Sequence, residues 1–457
     1  MGQASAGAQG ERRMSTAIDE RMGKRGGRRR DLEMMGALVV VGLIFFHSAR
    51  IFDSGEFYVK NESTSVVVDV ALAFAITWAM PLMFLMAGMA VWYSLRKRNA
   101  GQFLLERTKR LLVPLIFGVL VLIPPQVYIG LHQDPDYDES YWDFLPQFFD
   151  VTLDFREFPF IVHADPETGL YEPGQLWFLV CLYAFTLVLL PLFVYLRRPA
   201  AAGLIQRGAD LLAGPWTVFL LALPLAFIQM TLGGEVRLAA WNRWAYLLFI
   251  LYGFLIAADG RFGRSFQRRW RPAIIGGSLT FIGYLTLYIY LTEMEGGNPF
   301  IDNDPASLAF RFIFGISGWF WIIAILGLAA HLTQSRKGNN KRQRSSDKTI
   351  DTETPANELP SIGPRHSSRL DRIVRFGGEA QMPIYVLHQT IIVAIGFFVV
   401  LWPVIWPLKY LVIVLATLVV TLTIYEFVVK RTAATRFLFG MKPSKKELPA
   451  VPAPRPG

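Results

Sequence analysis

MMGALVVVGLIFFHSARIF, residues 34–52, decides how the rest of the chain is read. It has the length of a bilayer-spanning helix, about 20 residues. Its ionisable residues are His47 and, near its far end, Arg50. A titratable imidazole inside a hydrocarbon-facing segment is expensive, so His47 is a candidate functional residue by default. With Met34 at the cytoplasmic edge, a rise of ~1.5 Å per residue places His47 roughly 20 Å deeper, past the midplane.

Composition outside this stretch agrees. The chain is 53% hydrophobic and 14% aromatic, and 18% of it is charged, against about 25% charged in soluble domains. Its apolar residues cluster near 34–52, 66–94, 111–131, 175–196, 215–232, 239–258, 273–292, 307–332, 380–402 and 405–429. These runs predict an all-α, polytopic transmembrane bundle of about ten helices. Residues 1–33 read as a basic, disordered cytoplasmic tail, and no small-residue cleavage site follows the first run, so an uncleaved first helix is expected. Residues 34–430 form the transmembrane domain, with 333–378 as a polar, disordered cytoplasmic loop, and 431–457 a second basic tail.

The formal charge of +10 sits in short loops between apolar runs, which excludes a nucleic-acid partner and indicates a membrane orientation. Arg96, Lys97, Arg98, Arg107, Lys109 and Arg110 fill the second connection, and arginines dominate the fourth and sixth. Acidic residues dominate the alternate connections, such as Asp53, Glu56 and Glu62 in the first. That alternation predicts cytoplasmic termini at both ends. The third connection, 132–174, is long and acidic, and it holds the aromatic stretch YWDFLPQFFD (residues 141–150). Aromatic rings and carboxylates suit sugar faces and hydroxyls, while interfacial anchoring is the stronger explanation of the same rings.

Cys181 is the one cysteine, which excludes an intrachain disulfide and a thiolate cluster, and inert packing is expected for it. No nucleotide-loop or H-E-x-x-H pattern occurs, so neither a soluble nucleotide site nor a metal site is expected.

Four further positions bear on chemistry. His388, in QMPIYVLHQTIIV, also falls near mid-membrane and reads either as a site residue or as interhelical glue. Glu426 reads as structural, paired with a loop arginine. Arg107 and Arg110 share a helix face at the start of the third run, with Lys109 beside them. Guanidinium pairs bind phosphates in bidentate fashion and suit a polyphosphorylated ligand such as coenzyme A; plain positive-inside charge is the alternative.

Several segments taken in order resemble acyltransferase family 3 membrane proteins. They are the histidine late in the first helix, MPLMFLMAGMAVWYSLRKR, GQFLLERTKRLLVPLIFGVL, GQLWFLVCLY and MPIYVLHQTIIV. The ending IYEFVVKRTAATRFLFGMKP is similar to the glucans biosynthesis protein C branch, the osmoregulated periplasmic glucan succinyltransferases. The resemblance, from about 34 to 443, implies a multi-pass enzyme of the bacterial inner membrane with no bound cofactor. Acyl-CoA would be the donor, and a hydroxyl of an extracytoplasmic glycan would receive a succinyl or acetyl group. It assigns His47 the catalytic role, and Arg107 and Arg110 the R-x-x-R pair. The family's arginine eleven residues before the histidine falls on Gly36, and its companion acidic residue is matched by Glu33. A transporter or flippase of an amphiphilic glycan or acyl carrier, with His47 as proton relay, is the competing expectation; no repeat between halves supports it.

Overall fold

The computed structural model describes residues 34–211, 214, 216–350 and 369–442; for 236, 333–350 and 369–375 it describes the backbone alone. Helix α1 (Met34–Ala49) leads into α2 (Val66–Leu95) and α3 (Ala100–Leu131). The next connection holds a short helix, α4 (Tyr141–Phe148), and an antiparallel hairpin of β1 (Val151–Leu153) with β2 (Val162–Ala164), in which Thr152 pairs with His163. Helices α5 (Gly174–Leu196), α6 (Pro199–Leu211), α7 (Thr217–Leu232), α8 (Arg243–Ala258) and α9 (Gly260–Met294) follow. The chain continues through α10 (Pro305–Ile350), α11 (Arg369–Val399), α12 (Trp406–Val429) and the short α13 (Ala433–Leu438).

Among the described residues, seven helices are long and apolar enough to cross a bilayer. They are α2, α3, α5, α9, α12, the stretch Pro305–Leu332 of α10 and the stretch Phe376–Val399 of α11. The other three expected spans fall on α1, α7 and α8, which are apolar but shorter. The chain is an all-α membrane protein whose apolar side chains also face outward: Leu120 is 55% exposed, Leu279 66% and Val419 64%. Such a belt suits a lipid surround, where a helix satisfies its own backbone.

Inside, small residues let helices approach closely. A Cβ at Gly88 of α2 would strike the Ile250 carbonyl of α8, and one at Gly253 of α8 would strike the Leu85 carbonyl of α2. Glycine at both positions therefore sets this seam.

Residues 333–350 continue α10, and α11 begins at Arg369, where the sequence predicts a disordered loop over 333–378. The stretch 333–350 holds no proline and many straight-chain residues, so the helix continues past its apolar part. Residues 351–368 lie outside the described residues, as do 1–33 and 443–457. The segment after α12 packs back on the bundle. Phe439 packs edge-on against Phe117 of α3 at 5.2 Å, and Gly440, with φ of 64°, lies against the Arg110 carbonyl.

The bundle has two distinct ends. At one end, the 50–65 connection meets the end of α3 through the Lys60 amide, which donates to Gln133 Oε1 at 2.6 Å. Arg50 and Lys60 both pair with the buried Asp53 there. Lys409 Nζ donates to Asn61 Oδ1 at 2.8 Å and to the Val400 carbonyl at 2.7 Å. The opposite end gathers Arg107, Arg110 and α13. Here Glu426 pairs with Lys430 at 2.9 Å instead of a loop arginine, and Arg431 Nε donates to the Glu426 carbonyl.

Candidate active site

Helices α1 and α11 bring His47 and His388 together, with ring centroids 5.1 Å apart and planes tilted by 53°. Their sequence separation conceals this; packing of α1 against α11 creates it. His388 is fully buried. Its Nδ1 lies 2.7 Å from the Tyr385 carbonyl and 3.1 Å from the Ile384 carbonyl. Carbonyl oxygens only accept, so Nδ1 carries the hydrogen and Nε2 keeps its lone pair. Among the described residues neither His388 Nε2 nor His47 Nδ1 has a hydrogen-bond partner, though both are closed off from solvent.

Aromatic rings wall the pair. Phe46 meets His47 edge-on at 5.2 Å, and Phe57 stacks near it at 6.4 Å. Helices α3 and α5 hold α11 on either side of His388. Gln126 Nε2 donates to Thr390 Oγ1 at 2.9 Å, and Thr390 Oγ1 donates to the Leu122 carbonyl at 3.0 Å. Gln175 Nε2 donates to the Val386 carbonyl at 3.2 Å, and the Tyr385 hydroxyl donates to the Gln175 carbonyl. Side chains carried on regular helices with such ties hold their geometry better than loop residues do.

A polar group adjoins the pair. The side chains of Tyr58, Glu172 and Gln389, the residue after His388, lie close enough to influence one another electrostatically. Glu172 is half-buried as a residue, but its Oε1 is closed off from solvent and has no partner among the described residues. Burial raises the Glu172 pKa above its usual value, against the opposing pull of Tyr58 and Arg237. Burial also raises the Tyr58 pKa, with the Glu172 charge adding to the shift. Gly174 makes room: with φ of 47°, it would place a Cβ 3.1 Å from the Tyr58 hydroxyl and 2.8 Å from Ile123 Cδ1. Glycine takes that conformation without strain.

The basic residues lie elsewhere. Arg107 sits over the Phe103 ring at 5.4 Å, and both Arg107 and Arg110 are half-buried, with Lys109 exposed. A π turn, Thr108–Leu112, begins directly after Arg107. The helical rise from residue 110 to residue 126 separates this group from the level of the histidine pair by roughly 24 Å. The structure therefore joins His47 to His388 and leaves Arg107, Lys109 and Arg110 at the other end. At Gly36 a Cβ would lie 2.6 Å from Gln381 Nε2, so Gln381 of α11 covers the place where the family pattern has its arginine. Glu33 lies outside the described residues.

Tyr58, Glu172 and Gln389 are not distinguished by the sequence. Glu172 is one acid among many in its loop, and the signal nearest to it is the Pro-Gly that follows. Two cations inside apolar runs, Arg311 and Lys409, are readable as intramembrane charges. Arg311 is 1% exposed and donates to the Phe300 carbonyl at 3.1 Å and to Asn303 Oδ1 at 3.3 Å, which ties a connection to α10. In the 132–174 segment Phe144 and Phe148 are buried while Trp142 is exposed. Cys181 is buried in α5. Among the described residues no group of three His, Cys, Asp or Glu side chains is arranged to hold a metal ion.

A family model described as an acyltransferase domain, that of acyltransferase family 3, matches residues 30–426. No curated protein and no solved structure matches the chain.

Proposed function

The chain belongs to acyltransferase family 3, and on that premise we propose that it is a membrane O-acyltransferase moving an acyl group from cytosolic acyl-CoA to a hydroxyl of an extracytoplasmic glycan. The glucan succinyltransferase branch is the one its C-terminal segment resembles, so succinyl is the acyl group to try first and acetyl the second. In this reading all ten apolar helices cross the bacterial inner membrane, with both termini cytoplasmic, an orientation the loop charges support.

The observation that carries the proposal is the histidine pair: a half-buried and a fully buried imidazole, each with an unpartnered ring nitrogen closed off from solvent, beside aromatic rings, in an acyltransferase domain. His47 takes the proton of the acceptor hydroxyl as its oxygen attacks the thioester carbon. The C–O bond forms, the C–S bond breaks, and the imidazolium returns the proton to the departing coenzyme A sulfur. The products are an O-acyl ester and free coenzyme A. His388 supplies a second acceptor nitrogen beside that proton.

Arg107, Arg110 and Lys109 hold the donor's phosphates at the cytoplasmic mouth. Their distance from the histidines suits a donor with a charged head and a reactive group at the end of a long arm. The test is to supply purified protein with radiolabelled succinyl-CoA and a gluco-oligosaccharide. Labelled ester with matching thioester consumption is expected; movement of unmodified oligosaccharide across a vesicle membrane, without labelling, refutes the enzyme reading.

A further inference from the structure

Building on the acyl-transfer reading, we infer that Asp53 is a positioning residue for His47: it ties the 50–65 connection into the shape that holds Phe57 beside the imidazole.

The geometry begins at the end of α1. His47 stands in its last turn, and the chain leaves the helix directly afterwards. The Arg50 amide donates to the Phe46 carbonyl at 3.2 Å, and the Phe52 amide to the Ala49 carbonyl at 2.9 Å. Helix ends fray, and an imidazole carried there needs a closing tie to keep its aim. By Phe57 the chain has come back: its ring lies 6.4 Å from that of His47, with 23° between the planes.

Asp53 closes this return. It is 3% exposed. One carboxylate oxygen accepts from Arg50 and the other from Lys60 at 2.7 Å, so residues on either side of Phe57 meet on a single carboxylate. Lys60 Nζ also donates to the Arg50 carbonyl at 2.8 Å and to the Asp53 carbonyl at 2.5 Å, and Arg50 Nη2 donates to the Glu56 carbonyl at 2.5 Å. A cation on a carbonyl at a helix end is itself a favourable cap.

Separate contacts seat the outer side of the connection. Lys409 holds Asn61, and Gln133 holds the Lys60 amide. A Cβ at Gly396 of α11 would lie 2.7 Å from Ile51 Cδ1, and one at Gly130 of α3 3.1 Å from the Tyr58 carbonyl oxygen, so glycine admits the connection at both helices. Those contacts keep it on the bundle, whereas Asp53 sets its inner shape. Without the carboxylate, two cations face one another and the turn around Phe57 loosens. A misplaced general base loses rate more than donor affinity.

Two readouts on the full-length protein test this. The first needs no acyl transfer: diethyl pyrocarbonate modifies unprotonated imidazoles within its reach, and mass spectrometry compares His47 with the exposed His331. Asp53→Asn keeps the side-chain shape and removes the charge. It should speed modification of His47 about tenfold and leave His331 unchanged. The second is kinetic: kcat for acyl transfer should fall about tenfold while KM for acyl-CoA stays within about twofold of wild type. Unchanged modification of His47 overturns the inference whatever the activity does, and so does a rise in KM with kcat preserved. If Asp53→Asn fails to fold, Lys60→Gln, which keeps the Arg50–Asp53 pair and frees the far side of the turn, decides by the same readouts. Wild type that transfers no acyl group refutes the reading beneath this inference, and the modification rates then decide the inference alone. Normal transfer with His47 modified equally in wild type and variant does the reverse.

Discussion

The two ends of the bundle handle polarity in opposite ways. Around His47 and His388, polar atoms are buried, walled by rings, and several lack a protein partner among the described residues. Around Arg107, Lys109 and Arg110, cations are half-buried or exposed at a helix end. Buried acceptors discriminate among ligands, because an unmatched ligand leaves them unsatisfied. Exposed cations attract anions broadly and are screened by salt. On the proposed reading this contrast is a division of labour, with proton transfer at the histidine end and capture of the donor's phosphates at the basic end.

Substitutions at the two ends should accordingly fail in different ways. The largest effect after loss of His47 is expected at His388. His388→Ala should lower kcat by about 100-fold, the lower range for an acid–base group, with KM for acyl-CoA little changed. A fall confined to KM would assign His388 to binding and break the contrast. At the other end, Arg107→Ala and Arg110→Ala should each raise KM for acyl-CoA about tenfold, one phosphate contact's worth. They should also flatten its dependence on salt. A kcat loss without that salt effect would move these arginines out of the donor site.

The smallest effect concerns stability. Burial raises the Glu172 pKa above its usual 4.5. The folded state then holds its proton at pH values where the unfolded chain has released it, so stability falls as pH rises past 4.5. Tyr58 and Arg237 face the carboxyl and oppose the shift. Glu172→Gln removes the titration. Its Tm relative to wild type should therefore climb between about pH 4 and about pH 7. A difference in Tm that is flat across that window would mean the carboxyl is solvated.

Much of this was legible in the sequence. Apolar runs announce membrane helices because bilayer thickness dictates their length, and His47 stood out as an ionisable residue inside one of them. His388 was visible too, yet its role was not, since the contact between α1 and α11 is a tertiary event with no local signature. Glu172 was hidden by its acidic neighbours; what distinguishes it is burial against Tyr58, which composition cannot report. Gly36 looked like a lost arginine, and only packing shows Gln381 lying over it. Residues 333–350 are polar yet helical, because straight-chain polar residues sustain a helix.

The central claim is that acyl transfer runs through His47. The direct measurement is the radiolabelled succinyl-CoA assay with a gluco-oligosaccharide, run on wild type and on His47→Ala of equal Tm. Loss of labelled ester by a factor of about 1,000 or more, within the range for removal of a general base, is the predicted result. Labelled ester formed by His47→Ala at the wild-type rate would contradict the account.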